Sequence, residues 1–265
     1  MSEALPPIKV KVLGCGSSGG VPLPTGYWGT CDPTNPKNRR RRTSIIMEIG
    51  DKTILVDMGP DLREQLLTHG PPEKIDAVIL THHHADHLHG LDDLRHYVYR
   101  QKDQIPLFLL PETEAHIRSN HDYIVNGFAW YPPLFDLHTV DPEQGVSRIE
   151  VAGIAIDIWR QPHGRVETIG FRIGQFGYST DCVDLPQHIL DQLRDWELDV
   201  WMVDAVRNEP HTAHAHLDMT KGWLDHVRPK QGYIIHMSEM LDYEQTKADT
   251  QDFVEPAFDG MEIIV

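Results

Sequence analysis

Apolar residues in the first third of this chain come in short runs spaced as in β-strands. Lys9 to Leu13 alternates, Ser44 to Ile49 and Thr53 to Val56 flank a Gly-Asp turn as hairpin arms do, and Ile75 to Leu80 is a short continuous apolar run. The period then lengthens. Asp61 to Thr68, Leu91 to Tyr99 and Glu112 to Ile124 read as helices, with Pro106 to Leu110 as a strand among them. From residue 126 to 142 the stretch "NGFAWYPPLFDLHTVDP" is aromatic and proline-rich with no sustained period, which predicts a long loop or lid. Strands resume at Arg148 to Val151, Ile154 to Trp159, Thr168 to Ile173, Phe176 to Thr180, Val200 to Val203 and Tyr233 to His236, and helices are expected at Leu185 to Trp196 and Met219 to Val227. Two β-rich halves closed off by helices predict an α/β protein in which helices flank a pair of packed sheets, and 265 residues suit one domain over 1–265.

Charge narrows the partners. Forty Asp and Glu against 24 Lys and Arg give a formal net charge of -16, which argues against a broad electrostatic grip on nucleic acid but leaves room for a local cationic pocket and a small anionic substrate. "MSEALPPIKV" lacks a signal-peptide pattern, and no apolar run is long enough to span a bilayer, so a soluble protein is expected. Cys15, Cys31 and Cys182 are odd in number and widely spaced; they suggest neither a disulfide framework nor a zinc knuckle, and fit a reducing cytoplasm.

The chemistry is concentrated in "VILTHHHADHLHG", which holds five of the seventeen histidines between an apolar run and a glycine. In an extended segment alternate residues project the same way, so His82 and His84 form a chelating pair while His83 points elsewhere. Asp86 and His87 follow where a helix is expected to start, with Asp86 as a natural N-cap, and the change of direction aims them at a second ion. Imidazole and carboxylate suit zinc, or manganese and iron where oxygen is richer. His89, Asp92, Asp93 and His96 read as polar helix-face residues. One segment cannot close two coordination spheres. His163 in "IWRQPHG", Asp181 in "FGYSTDC" and His236 in "GYIIHMS" stand at expected strand ends, and Asp181 has two oxygens with which to bridge.

Taken in order, His82, His84, Asp86, His87, His163, Asp181 and His236 resemble the dinuclear hydrolase motifs of the metallo-β-lactamase superfamily over almost the whole chain. The resemblance implies an αββα sandwich of two mixed β-sheets flanked by helices, with His82, His84 and His163 on one ion, Asp86, His87 and His236 on the other, and Asp181 between them. It also implies that Asp57, in "ILVDMGPD", supports the ligand loop from behind.

"VLGCGSSGGVP" and "WGTCDPTNPKNRRRRTS" look like the PhnP-type cyclic phosphodiesterase branch, with tRNase Z and PqqB-like proteins more distant. The glycine-rich turn is expected to serve tight packing rather than phosphate contact. Of the run Arg39 to Arg42, at most one guanidinium is expected to face substrate, with Arg42 the candidate. "EPHTAHAHLDMT" resembles the loop that places a histidine before the scissile phosphate in this branch; His216, directly before the expected helix, is assigned that role, with His211 and His214 as rivals and His214 a candidate substrate contact. Only Cys31 remains where PhnP-type proteins carry a cysteine-rich zinc site, so a structural zinc is not expected. The reading is a phosphodiesterase holding two divalent ions, Zn2+ or Mn2+, with Asp86 and His216 as catalytic residues, metal-bridged hydroxide as nucleophile and His216 protonating the leaving group. tRNase Z-like processing, thioester or lactone hydrolysis, and a PqqB-like non-catalytic binding role are the alternatives, and a homodimer stays open.

Overall fold

The structure is a computed structural model that describes residues 5–142 and 145–265; residues 1–4, part of the stretch read for a signal peptide, lie outside the described residues. Strands β1 (Ile8–Gly14), β2 (Ser44–Ile49), β3 (Lys52–Val56), β4 (Ala77–Ile79), β5 (Ile105–Leu109) and β6 (Phe135–Thr139) form one sheet, joined at the β1 edge by β14 (Glu262–Ile264) from the far end of the chain. The second sheet runs in order from β7 (Ser147–Val151) through β8 (Ile154–His163), β9 (Val166–Ile173), β10 (Phe176–Ser179), β11 (Val200–Asp204) and β12 (Gln231–Ile235) to β13 (Val254–Pro256). Both sheets are mixed: β1 to β3 and β7 to β10 pair antiparallel, whereas β3 to β6 and β10 to β13 pair parallel.

The period-2 pattern explains the layering. In β2 and β3, Ile45, Met47, Ile49, Ile54 and Val56 enter the larger core, which also takes Ile156, Ile158 and Phe171 of the second sheet, while Ile46 and Leu55 turn to the opposite face. That face packs against the helices α1 (Leu62–His69), α3 (Arg95–Gln101), α4 (Pro111–Asn120) and α5 (Asp122–Asn126). On the second sheet, α6 (Gln187–Asp195) and α7 (Leu217–Val227) bury Ile189, Leu193 and Leu224 in the larger core. Each such fully buried aliphatic side chain contributes roughly 1.5–3 kcal/mol by leaving water. This is an αββα sandwich, as expected.

Several expectations need correcting. The helix expected over Glu112 to Ile124 is two helices, α4 and α5, separated at His121, whose φ and ψ of -135° and 38° leave the helical region. The segment 126–142 is not loop throughout, because its second half is β6, the outer strand of the first sheet. The short helix α2 (Ala85–Leu88) is capped at its start by His84 in extended conformation, so Asp86 lies inside the first turn and is not its N-cap. Helix α8 (Tyr243–Ala248) and strands β13 and β14 are additions to the expected elements. The three cysteines are free and buried, and among the described residues no helix is long and apolar enough to cross a membrane.

Candidate metal centre

Parallel strands leave their carboxyl ends on one edge, and the loops there carry the chemistry. Asp57 follows β3, Thr81 to His87 follow β4, His163 ends β8, Asp181 follows β10 and His236 follows β12. Asp57, Asp181 and His236 all have left-handed backbone, with φ of 61°, 51° and 62°. Such conformations cost non-glycine residues on the order of 1–3 kcal/mol each and persist where surrounding bonds impose them. Here Asp57 N–H is held by Ile79 O, and the residue after His236 donates to Cys15 O. The ligand loop is braced from below: Met58 N–H donates to His87 O, Gly90 N–H to Met58 O, and Gly59 lies so close that a Cβ there would fall 2.0 Å from Asp86 O.

The side chains converge into two main groups able to hold a metal ion, His82, His84 and His163 in one and Asp86, His87, Asp181 and His236 in the other; a third combination, His163, Asp181 and His214, overlaps both, and the ligand atoms of each set lie within 4.8 Å of one another. Asp181 lies between them, Oδ2 3.8 Å from His82 Nε2 and 3.7 Å from His163 Nε2, Oδ1 3.3 Å from His87 Nε2 and 3.2 Å from His236 Nδ1. His163 Nε2 and His84 Nδ1 are 3.1 Å apart.

Hydrogen bonds behind the rings fix which nitrogen faces inward. His163 Nδ1 must donate to Ala213 O at 2.6 Å, since a carbonyl only accepts, and this leaves the Nε2 lone pair free. His87 Nδ1 donates to Asp57 Oδ2 at 2.7 Å. Thr81 hydroxyl donates to the same Asp57 and therefore accepts from His82 Nδ1 at 3.1 Å. One carboxylate thus sets the tautomer of two histidines. Buried His82 Nε2 and His87 Nε2 have no hydrogen-bond partner in the protein, the situation a cation would resolve. The donor set fits a metal.

Electrostatics point the same way. Burial lowers His82 well below the ordinary imidazole range, His163 to about 4 and His236 to about 3, so these rings are neutral and offer lone pairs at neutral pH. His87 goes the other way: burial opposes its charge, but Asp181, Asp57 and Asp86 around it outweigh that and raise it well above its usual value. Asp181 is buried too, yet His236 and His87 pull its carboxyl well down. The carboxylates around His87 favour positive charge, and a divalent ion bound there would supply it in place of a proton.

A sixth histidine ring lies against the cluster. His214 stacks on His236 at 4.8 Å between ring centroids and meets His163 edge-on at 4.5 Å, and its Nδ1 donates to Asp204 Oδ2 at 3.1 Å. Burial works against its charge, but Asp204 raises His214 to about 9. Burial in turn pushes Asp204 up to about 6, with His214 pulling it back. His216, the residue the sequence reading put before the phosphate, caps the start of α7 with its backbone bridged to Arg207, and among the described residues it joins none of the ligand groups. His214, two residues earlier, lies with His163 and Asp181.

The other candidates fall into place around this. His83 turns away and stacks on His116 at 4.6 Å. Arg42 is not free, because its Nη1 lies 2.9 Å and 3.0 Å from the two Asp61 oxygens, and Arg40 is spent on Ser238 O, Leu241 O and Asn38. A Cβ at Gly14 would sit 2.1 Å from Arg42 O, so the glycine-rich turn serves close packing. Cys31 is buried and joins no metal group among the described residues. Exposed Phe128 and Trp130 share a turn whose Tyr131 packs under Arg95 of α3, away from the ligand rings. A cleft of about 840 Å3 between α1 and α3 contains none of the cluster residues.

The family model for the Beta-lactamase superfamily domain matches residues 52–237, which include every residue of both metal groups. A solved structure described as a new diphosphatase from the PhnP family superposes with a TM-score of 0.87 at 31% identity, covering 99% of this chain and 98% of that one. The chain belongs to the metallo-β-lactamase superfamily, in its PhnP-like branch. Its fold and its cluster of His and Asp side chains able to hold metal ions are those of this superfamily. Among curated relatives, an octanoyltransferase of Porphyromonas gingivalis is 28% identical over 96% of this chain and 51% of its own length, and a ribonuclease Z of Thermococcus sibiricus is 29% identical over 51% of this chain and 43% of its own. This chain therefore spans about half the length of those two proteins.

Proposed function

We propose that this protein is a dinuclear metal-dependent phosphodiesterase acting on a small phosphate ester or diphosphate, cyclic phosphodiesters included. The observation that carries it is one carboxylate, Asp181, with one oxygen 3.3 Å from His87 and the other 3.8 Å from His82, beside a histidine held by its own buried aspartate. His82, His84 and His163 would hold one divalent ion, Asp86, His87 and His236 the other, with Asp181 common to both. Two such ions, Zn2+ or Mn2+, supply an activated water and neutralise phosphoryl charge. The chain's own residues do the rest. Asp57 and Thr81 hold His82 and His87 in the ligating tautomer, while Ala213 O does so for His163. His214, oriented by Asp204, is the proton donor to the leaving oxygen, a role worth roughly 10²–10⁴ in rate. Arg42 meets substrate only if it leaves Asp61.

The similarity to a PhnP-family diphosphatase supports reaction at phosphorus, and the net charge of -16 supports a small substrate over RNA. The match to half of an octanoyltransferase favours a second reading, hydrolysis of an octanoyl thioester at the same centre. Metal-loaded protein assayed on cyclic phosphodiesters, linear diesters, diphosphates, octanoyl thioesters, lactones and precursor tRNA separates these. Turnover confined to thioester, lactone or RNA rejects the phosphodiesterase reading, and full metal content with no turnover favours a binding role.

A further inference from the structure

Four histidines outside the ligand set form a succession of neighbouring rings that starts at the metal loop. His83 stacks on His116 of α4 at 4.6 Å with the planes only 21° apart, His116 lies 6.2 Å from His121, and His121 lies 6.1 Å from His89 at the end of α2. The succession touches the metal centre at one point, where the ring of His83 meets that of His84 at 6.0 Å. His84 is the exposed member of its ligand group, whereas His82 and His163 are buried, so an ion entering that group arrives past His84.

Imidazole is a common ligand for divalent metals, and on a chain of net charge -16 such ions are enriched at the surface. The four rings do not form a three-ligand cage: none joins a group whose ligand atoms fall within 4.8 Å. Their spacing allows ions to be held by two donors at a time, with water completing the sphere, after small side-chain rotations. A two-donor site binds weakly and releases quickly. Glu112 and Asp92 act electrostatically on His83 and His121, but are themselves paired with Arg160 and with Arg95 and Tyr123, so they add local negative potential without closing a cage.

We propose that His83, His116, His121 and His89 form a labile capture surface for divalent metal ions that delivers them to the buried cluster through His84. The delivery step rests on the ligand assignment of the preceding section; the capture step does not. His116 and His121 stand on or beside α4, away from both ligand groups, and can be removed together without touching the cluster.

The test uses the full chain, stripped of metal with a chelator and mixed with limiting Zn2+ in competition with a chromophoric chelator, together with equilibrium dialysis at excess Zn2+. Wild type is expected to hold its tightly bound ions plus one weaker, fast-exchanging ion. His116→Ala/His121→Ala should lose the weak ion, keep the tight ones and load about tenfold more slowly, the lower end of the gain that local ion enrichment gives to association rates. Asp181→Ala should lose tight binding and keep the weak ion, so a fault in the cluster assignment shows there and not in the histidine variant. A double variant that keeps the weak ion overturns capture. One that loses it yet loads at the wild-type rate overturns delivery.

Discussion

The two sheets furnish the metal centre in different ways. The first delivers four of the converging residues, His82, His84, Asp86 and His87, from one loop after β4, and a single carboxylate behind that loop, Asp57, orients two of the rings. The second delivers His163, Asp181 and His236 from three separate strand ends, each held by its own local bonds. The loop side is built from neighbours in sequence and fails as a unit. The strand-end side is assembled by sheet packing, and its members can be removed one by one.

Asp181 is the exception on the strand-end side, because it alone lies within reach of both groups. Asp181→Ala is expected to show the largest effect: loss of tightly bound metal and a fall in turnover of roughly 10³-fold or more. Metal analysis of the purified variant beside His83→Ala, which should keep its full tight complement, checks this. Equal metal content in the two would remove the bridging role.

Next comes His214. His214→Ala should retain metal and lose roughly 10²–10⁴ in kcat/KM on a substrate with a poor alkoxide leaving group, but much less on bis-p-nitrophenyl phosphate, whose phenolate needs little protonation. His216→Ala should change neither. A leaving-group dependence that follows His216 instead would restore the sequence assignment.

These two cases also mark where the sequence stops being readable. Ligands on the loop side could be picked out because the spacing His-x-His-x-Asp-His states its geometry locally, and strand-end His163, Asp181 and His236 could be picked out because apolar runs announce where strands end. The choice between His214 and His216 has no such signal: it depends on the phase of a loop set by the Arg207 to His216 bridge and by Asp204, ten residues away. β13 and β14, of three residues each, are too short to show a period and exist because β12 and β1 offer them an edge. β6 is hidden by the prolines before it and by its half-exposed alternation. The His83 to His116 stack joins a loop to a helix, a pairing that no spacing encodes.

Asp57→Asn probes the claim that the loop side fails as a unit. An asparagine cannot accept from both His87 Nδ1 and Thr81 with two carboxylate oxygens, so both ring tautomers are loosened, and metal affinity should fall about 10- to 100-fold. Thr43→Val loosens only His236, whose Nδ1 lies 3.1 Å from Thr43 Oγ1, and should fall at or below the low end of that range. Zinc affinities by competition decide the order, and a larger loss for Thr43→Val would contradict the contrast between the two sides.

The last effect is on stability rather than on metal or turnover, at the seam where the two regions meet. Cys15, just after β1, accepts from Met237 beside His236, while Asp259 accepts from Cys15 N–H at 3.1 Å and Arg41 N–H at 2.8 Å. Burial pushes the Asp259 carboxyl up to about 6, against the opposing pull of those backbone N–H groups. An acid raised in the folded state binds its proton more tightly there than when unfolded. Below about pH 4 it is protonated in both states and costs nothing; between about 4 and 6 only the unfolded chain ionises, so stability falls as pH rises; above about 6 the full penalty is present and the slope ends. The contribution across that window is roughly 3 kcal/mol. Asp259→Asn cannot ionise and should remove that part of the slope. The amide presents an acceptor on one side only, so the variant is expected to be less stable in absolute terms, and the change in slope is the diagnostic quantity. Denaturant unfolding of both proteins from pH 4 to pH 7, with metal removed so that ligand protonation enters each curve equally, measures it. Parallel stability curves would mean that Asp259 titrates alike in the folded and unfolded chain and that the seam is held by its backbone hydrogen bonds alone.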